Sequence, residues 1–230
     1  MTKNHLKRIA MPKTWQLSRK KETFITRPTP GTAPKEFSMP LTLVMRELIG
    51  CAKTSKEVKS IIKHKKVLVD AKQRWDDKLA VGLMDVVELP DVKEAYRLLL
   101  TSKGKLTVVS VKADEASVKP VKIIGKSVLG KDKVQVNLFG GKNIILKKDD
   151  YKVNDTLLLT LPGQKVKEHF TFGKGATIFL TGGKQMGNTG VVKEIKDNNI
   201  TFTTKDGEFI TAKRYAFVIG KAKSAITLTA

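Results

Sequence analysis

Short apolar runs alternate with glycine-containing turns from Tyr96 to the end of the sequence, and no helical period continues into this region. Val134 to Leu138 alternate with polar residues and precede a turn at residues 139–142 and a second apolar run, which predicts a β-hairpin. Another strand is predicted over Leu157 to Leu161, with a linker starting at Pro162-Gly163. The second half of the chain is therefore predicted to be mainly β, as in small β-barrels.

Two amphipathic helices are predicted ahead of this β-rich region. The first ends at Gly50 and has apolar residues with helical spacing at Leu41, Val44, Met45 and Leu48. The second begins at Thr54, which with Glu57 forms a capping-box pattern, and its apolar face carries Val58, Ile61 and Ile62. Residues 66–70 and 84–89 are rich in β-branched side chains and read as short strands. This part of the chain is predicted to be a small helix-and-sheet unit.

Lysines occupy the face of the second helix opposite its apolar residues. Lys56, Lys59 and Lys63 form one stripe, and Lys66 lies just beyond its edge. Because no acidic side chain stands four residues away on the same face, phosphate contact is favoured over a merely solvated surface. Arg74 and Trp75, between the two strands, form either a cationic and aromatic RNA contact or, for Trp75, a cover over the small core. Both alternatives stay open.

The charge balance indicates the class of partner. The chain has 230 residues, with 44 Lys and Arg against 22 Asp and Glu, and its formal net charge is +22 at pH 7. Such a surface repels itself, and a polyanion that neutralises it is the usual reason for it. This charge argues against an ordinary metabolic enzyme. A hydrophobic content of 40% argues against a wholly disordered basic tail.

The first 40 residues are predicted to form a basic arm. They show no sustained period and contain several prolines, which remove backbone donors and favour extended conformations. The arm is predicted to stay extended until RNA orders it, with Trp15 or Phe24 stacking on bases, although a disordered tag is the alternative. Its predicted RNA contacts are Lys7, Arg8, Lys13, Trp15, Arg19, Lys20, Lys21 and Arg27.

Several classes of site and location are not expected from the sequence. A lone cysteine, Cys51, and three separated histidines give no metal-ligand spacing, and the glycine-lysine segments match neither a phosphate-binding loop nor a dinucleotide fingerprint. No apolar stretch reaches the ~20 residues of a membrane span, and the N-terminus does not read as a secretory signal. We therefore expect an intracellular protein with no catalytic residues, no metal, no cofactor, no small-molecule substrate and no membrane.

Residues 175–195 resemble a KOW motif. Two short strands flank a loop in which Gly183, Gly187 and Gly190 are predicted to be able to adopt positive φ, with Lys184 among them. The missing Cβ atoms would let a nucleic-acid or protein backbone approach closely, whereas the alternative is a hairpin shaped only by the corners of a barrel. Such modules occur in ribosomal proteins and in transcription elongation factors.

A series of short motifs along nearly the whole chain resembles the archaeal and eukaryotic small-subunit ribosomal protein family S4e. The composition and the short C-terminus look archaeal. In order, the motifs are His5-Leu6-Lys7-Arg8, Pro12-Lys13-x-Trp15, Arg27-Pro28-x-Pro30-Gly31, Pro40-Leu41, Val67-x-Val69-Asp70, Gly82-x-Met84-Asp85-Val86, Tyr96-Arg97-Leu98-Leu99 and Asp155-Thr156-Leu157.

The resemblance implies an α+β protein with a basic extended arm at residues 1–40 and an S4-type RNA-binding domain at residues 41–103. It further implies a central β domain at residues 104–170 and an SH3-like KOW β-barrel at residues 171–230. The family's RNA surface would include Arg46 and the lysines Lys53, Lys56, Lys59 and Lys63.

The implied function is structural: the protein would bind small-subunit ribosomal RNA beside neighbouring ribosomal proteins in the cytoplasmic ribosome. One alternative is a non-ribosomal RNA-binding regulator or a transcription-associated KOW protein. Another alternative, an RNA-modifying enzyme, is disfavoured because residues 104–170 are too few for a catalytic domain.

Overall fold

The computed structural model describes residues 5–31, 33–64, 66–130, 133–147, 150–204, 206–221 and 224–228. The described chain is mostly β-strand with few helices, and it divides into two compact units. Of the described residues, those up to 99 and those at 105–117 form the first unit, and those at 100–104 and from 118 to 228 form the second. Residues 1–4 and Thr32 of the predicted arm lie outside the described residues.

The elements of the first unit, in chain order, are β1 (Leu6–Lys7), β2 (Phe24–Ile25), β3 (Ser38–Pro40), α1 (Leu41–Leu43), α2 (Ser55–Lys63), β4 (Leu68–Val69), β5 (Lys72–Gln73), β6 (Ala80–Gly82), β7 (Val86–Leu89), β8 (Glu94–Leu100), β9 (Leu106–Val111) and α3 (Ala113–Ala116). Its described strands form three antiparallel groups. Strand β1 pairs with β2, β3 pairs with β6, and the others form a sheet in the order β5-β4-β7-β8-β9.

Both predicted helices are confirmed, and the first contains an irregularity. After α1 the chain continues as a wider π-helical segment, Val44–Ile49, which ends where Gly50 adopts a left-handed φ of 79°. The amides of Gly50 and Cys51 both donate to the carbonyl oxygen of Met45, at 3.0 and 3.1 Å. Glycine suits this C-terminal position because it has no Cβ to strain a positive φ.

The described part of the predicted arm packs into the first unit. The side chain of Trp15 is 1% exposed, and its indole N–H donates to the carbonyl oxygen of Ser38 at 2.8 Å. Met11 and Ile25 are also buried. The prediction that Trp15 stacks on a base is therefore wrong for this structure, because both faces of the indole are covered by the protein's own core.

The described strands of the second unit are β10 (Val118–Gly130), β11 (Lys133–Leu138), β12 (Lys142–Leu146), β13 (Thr156–Thr160), β14 (Lys165–Phe170), β15 (Thr177–Leu180), β16 (Thr189–Lys196), β17 (Asn199–Thr204), β18 (Gly207–Ala212) and β19 (Ala216–Gly220). They form two antiparallel sheets, with strand orders β12-β11-β10-β13-β14 and β18-β17-β16-β15-β19. The predicted hairpin is confirmed as β11 and β12. Pro162 and Gly163 form a turn between β13 and β14 rather than the start of a linker.

One hydrophobic core serves both sheets of the second unit. Val118, Leu158 and Phe170 of the first sheet pack in the same cluster as Ile178, Phe202 and Val218 of the second. Within the described residues, β18 and β19 are the outer strands of their sheet and do not pair with each other. A closed barrel is therefore not found in the described part of the chain.

Two buried cations have partners within their own units. Arg97 is fully buried, and its guanidinium donates to the carboxylate of Glu115 and, at 2.9 Å, to the Glu115 carbonyl oxygen. Lys122 donates through Nζ to the carbonyl oxygens of Arg214 and Ala216, at 2.8 and 2.6 Å. Burial, with Lys213 nearby, lowers the pKa of Lys122 to about 8.

Replacing Trp15 by Ala should lower the free energy of unfolding by about 3–5 kcal/mol, because a buried aromatic side chain and its hydrogen bond are lost together. Urea denaturation followed by circular dichroism measures this change. The matched control is Phe24→Ala. Phe24 lies in β2 but is 53% exposed, so its replacement should lower the free energy of unfolding by less than about 1 kcal/mol. Equal effects of the two substitutions would contradict a core role for Trp15.

Candidate nucleic-acid interface

A capping box fixes the start of α2. The hydroxyl of Thr54 accepts a hydrogen bond from the Glu57 amide at 3.2 Å, and the Glu57 carboxylate accepts from the amides of Lys53 and Thr54 at 2.7 and 3.4 Å. These hydrogen bonds, led by the one from the Lys53 amide, lower the pKa of Glu57. The predicted capping box is therefore confirmed, and it satisfies amides that an uncapped helix would leave unpaired.

The apolar face of α2 determines which way its lysines point. Val58 and Ile62 are buried, so the opposite face is held towards solvent. Lys56, Lys59 and Lys63 are all exposed on that face, and in the described part of the chain no ion pair involves any of them. Lys53 is exposed just before the cap. The helix thus presents a row of cations with no neutralising partner, which we call the lysine face.

Arg46 and Lys66, predicted near the lysine face, already have partners of their own. The Arg46 guanidinium donates to the Ser55 hydroxyl at 3.2 Å and to the Glu47 carboxylate at 3.1 Å, and its side chain is largely buried. Arg46 therefore braces the π-helical segment against the start of α2. Lys66 is exposed but forms an ion pair with Asp91 at 2.6 Å. Both are less available to an anion than the lysines of α2.

An open groove lies beside the C-terminal end of α2. Its volume is about 600 Å³, and it is lined by Lys59, Ser60, Ile62, Lys63, His64, Trp75 and Asp77. The side chain of Trp75 is 61% exposed, which rules out the interpretation that it covers the core. The preceding residue, Arg74, is half-buried. The sequence indicates parts of this groove through the lysine stripe and Trp75, but it does not show that they lie side by side.

The predicted cations of the arm divide into two groups. Arg8 is buried, where it donates to the Ser18 carbonyl oxygen at 2.9 Å and pairs with Glu22. Arg19 donates to the carbonyl oxygens of Ile9 and Met11, at 2.8 and 3.1 Å. These two arginines hold the arm's own backbone together. Arg27 is half-buried, and the side chains left exposed to a partner are Lys7, Lys13, Lys20 and Lys21.

Glycine is required in the KOW-like loop for two different physical reasons. Gly183 and Gly187 adopt positive φ values of 86° and 84°, as predicted, and Lys184 is exposed between them. Gly190 does not have positive φ: it lies in β16, where a Cβ would meet Phe202 Cδ2 and the Thr203 carbonyl oxygen, each at 2.8 Å. The prediction for Gly190 is wrong because close packing between strands, not turn geometry, requires glycine there.

The backbone that approaches Gly187 belongs to this chain. A Cβ added to Gly187 would lie 1.9 Å from the carbonyl oxygen of Thr101, in the same unit. Glycine at this position therefore permits internal packing.

No group of three or more His, Cys, Asp or Glu side chains in the described ranges is arranged to hold a metal ion. Of the helices in the described residues, none has the length and apolar character needed to cross a membrane.

Comparison with known proteins connects these features to one family. The family model described as "Ribosomal family S4e" matches residues 92–166, and a second, the "RS4NT (NUC023) domain", matches residues 2–36. The small ribosomal subunit protein eS4 of Methanocaldococcus jannaschii is 41% identical, with 98% of each chain covered. The eS4 protein of Methanocella arvoryzae is 39% identical, again with 98% of each chain covered.

A solved structure is similar as well. The crystal structure of the 30S ribosomal protein S4e from Thermoplasma acidophilum matches with a TM-score of 0.70 at 27% identity, covering 80% of this chain and 96% of that one.

Three glycine substitutions should have graded effects on stability. Gly187→Ala combines positive φ with a backbone clash and should cost at least about 3 kcal/mol of unfolding free energy. Gly175→Ala, at a φ of 80° with open space around the new Cβ, should cost about 1–2 kcal/mol. Gly173 has neither a positive φ nor a close neighbour at the new Cβ, so Gly173→Ala should change the free energy of unfolding little. Urea denaturation measures all of them, and a Gly187→Ala cost no larger than that of Gly175→Ala would contradict the packing against Thr101.

Proposed function

Because this chain belongs to the ribosomal protein family S4e, we propose that it binds the RNA of the small ribosomal subunit and that the lysine face of α2 is a principal contact. The observation that carries the proposal is the state of Lys56, Lys59 and Lys63. They are exposed and unpaired within the described residues, on a helix whose rotation is fixed by buried Val58 and Ile62. A structural role in the small subunit follows from the family, and the contact surface is the proposed addition.

The chemistry of folded RNA suits such a face. The major groove of an A-form helix is too narrow for side chains to read, so recognition depends on phosphates, ribose hydroxyls and helix shape. Lysine ammonium groups on flexible stems neutralise phosphates without requiring a particular base. Binding of this kind releases counterions and therefore weakens as salt rises.

Further regions are assigned to the same function. The exposed lysines of the arm, Lys7, Lys13, Lys20 and Lys21, contact RNA phosphates, and Lys184 does so from the KOW-like loop. We assign the S4-type RNA-binding domain to residues 41–103 together with β9 and α3, which belong to the same unit. The central β domain is the rest of residues 104–170, and the KOW module is residues 171–230. The separate match of an N-terminal domain model to residues 2–36 supports treating the arm as a segment of its own. The protein works in the cytoplasmic ribosome beside other ribosomal proteins and catalyses no reaction.

Replacing Lys56, Lys59 and Lys63 by Ala should weaken binding to transcribed small-subunit ribosomal RNA and leave the fold intact, because Ala is the better helix former. Each phosphate contact contributes about 1 to the slope of log affinity against log salt, so the slope should become shallower by about 2–3. Filter binding over a range of salt concentrations measures the slope, and circular dichroism checks the fold.

The matched control replaces Lys103, Lys112 and Lys174 by Ala. These side chains are also exposed, and the control removes the same positive charge from sites outside the proposed surface. Its salt slope should stay closer to that of the unaltered protein. Equal slopes for the two triple variants would remove the lysine face from the interface and leave only a diffuse effect of net charge.

A further inference from the structure

The two tryptophans of this chain lie in opposite environments. Trp15 is 1% exposed, with its N–H bonded to Ser38, whereas Trp75 is 61% exposed. An exposed indole leaves a large apolar surface in water, which is unfavourable for the isolated protein. Tryptophan at a surface is characteristic of sites where a partner covers the ring.

The loop that carries Trp75 is held on its C-terminal side. The Asp76 carboxylate accepts from the Thr29 hydroxyl and from the Lys78 amide, both at 2.8 Å. The Thr29 amide in turn donates to the Lys78 carbonyl oxygen at 2.8 Å. The Asp77 carbonyl oxygen accepts from the Thr42 amide at 3.0 Å and from the Thr42 hydroxyl at 2.7 Å. This bracing fixes the backbone beside Trp75, so a partner would meet a preorganised ring at a lower entropic cost.

The groove beside the ring has the dimensions of a ligand site. Its volume of about 600 Å³ falls within the ~300–1,000 Å³ of pockets that hold small organic molecules. Ile62 contributes an apolar lining, and Trp75 contributes an aromatic one. Lys59 and Lys63 line the same groove, and both belong to the lysine face.

The polar groups of the groove discriminate between the two ends of a nucleotide. The ammonium groups of Lys59 and Lys63 attract phosphate. The carboxylate of Asp77 repels phosphate; its Oδ2 lies 3.3 Å from the Thr42 hydroxyl, and among the described residues its Oδ1 is left to accept from an amino group on a base edge. His64 is bonded through Nδ1 to the Ser60 carbonyl oxygen at 2.7 Å, so its other ring nitrogen is the one that a ligand would meet. These groups match the chemistry of a nucleotide, with an aromatic surface for the base and cations for the phosphate.

We propose that this groove binds one unpaired RNA nucleotide, with its base stacked on Trp75 and its phosphate on Lys59 and Lys63. The inference rests on the proposed RNA-binding function and specifies the kind of RNA that the end of α2 recognises. Base-to-aromatic stacking tolerates different bases because every base has a π face. The groove therefore recognises a base that is free of its helix.

The test uses the full-length protein and two RNA probes, a single-stranded oligoadenylate and a duplex of equal length, at about 0.15 M salt. Trp75→Leu keeps an apolar side chain but removes the π face, and it should weaken binding of the single strand by about tenfold while leaving duplex binding unchanged. Trp75→Phe keeps a ring and should retain most of the affinity. The control is Ile210→Ala, at another highly exposed apolar side chain, which should change neither affinity.

Fluorescence gives a second readout that does not depend on affinity. A base stacked on Trp75 should quench the indole emission when the single strand is added. The Trp75→Phe protein retains only the buried Trp15 and should show no quenching.

The outcomes separate this inference from the function on which it rests. If Trp75→Leu binds both probes as the unaltered protein does and no quenching occurs, the nucleotide site is wrong, although the lysine face can still bind ribosomal RNA. If the unaltered protein binds neither probe nor small-subunit RNA, the proposed function itself fails. If Trp75→Leu impairs binding to another ribosomal protein and not to RNA, the groove docks protein and the inference is overturned.

Discussion

Because charged side chains are costly to bury, most of this chain's excess positive charge has to be exposed to water, and the fold satisfies that constraint. Lysine and arginine total 44 against 22 acidic residues, and a cation buried without a partner would be costly. Three buried cations have partners: Arg8 pairs with Glu22 and donates to the Ser18 carbonyl oxygen, Arg97 bonds Glu115, and Lys122 donates to two backbone carbonyl groups. Many of the remaining lysines are exposed, as on α2, whose opposite face is buried. The lysine face of α2 is the clearest case, because a row of cations stands there unpaired within the described residues.

Features set by local interactions could be predicted from the sequence. The capping box of Thr54 and Glu57, the hairpin of β11 and β12, and the strand at residues 156–160 depend on neighbouring residues and on simple alternation. The start of α2 and the outward direction of its lysines also follow from local signals, the capping box and the apolar spacing of the helix. The π-helical segment before Gly50 was not foreseen, since its apolar spacing fits an ordinary α-helix equally well.

Features set by distant contacts could not be predicted. Nothing local to Trp15 shows that it reaches the Ser38 carbonyl oxygen, and nothing local to Trp75 shows that it stays exposed. An aromatic residue among lysines has the same sequence pattern in either state, so the tertiary structure decides which one is available to RNA. The same limit explains Gly190, whose packing against Phe202 involves a neighbouring strand. Of the two tryptophans, Trp75 beside α2 is therefore the one exposed to a partner, and Trp15 is not.

The central claim is that this protein is a component of the small ribosomal subunit, held there largely by contacts between its cations and RNA phosphates. Sucrose-gradient sedimentation of source-cell lysate, at low and then at high salt, tests the claim most directly. The account predicts stoichiometric co-sedimentation with the small subunit at low salt and progressive release as the salt concentration rises. Sedimentation as free protein, or with RNA polymerase, at low salt would contradict it.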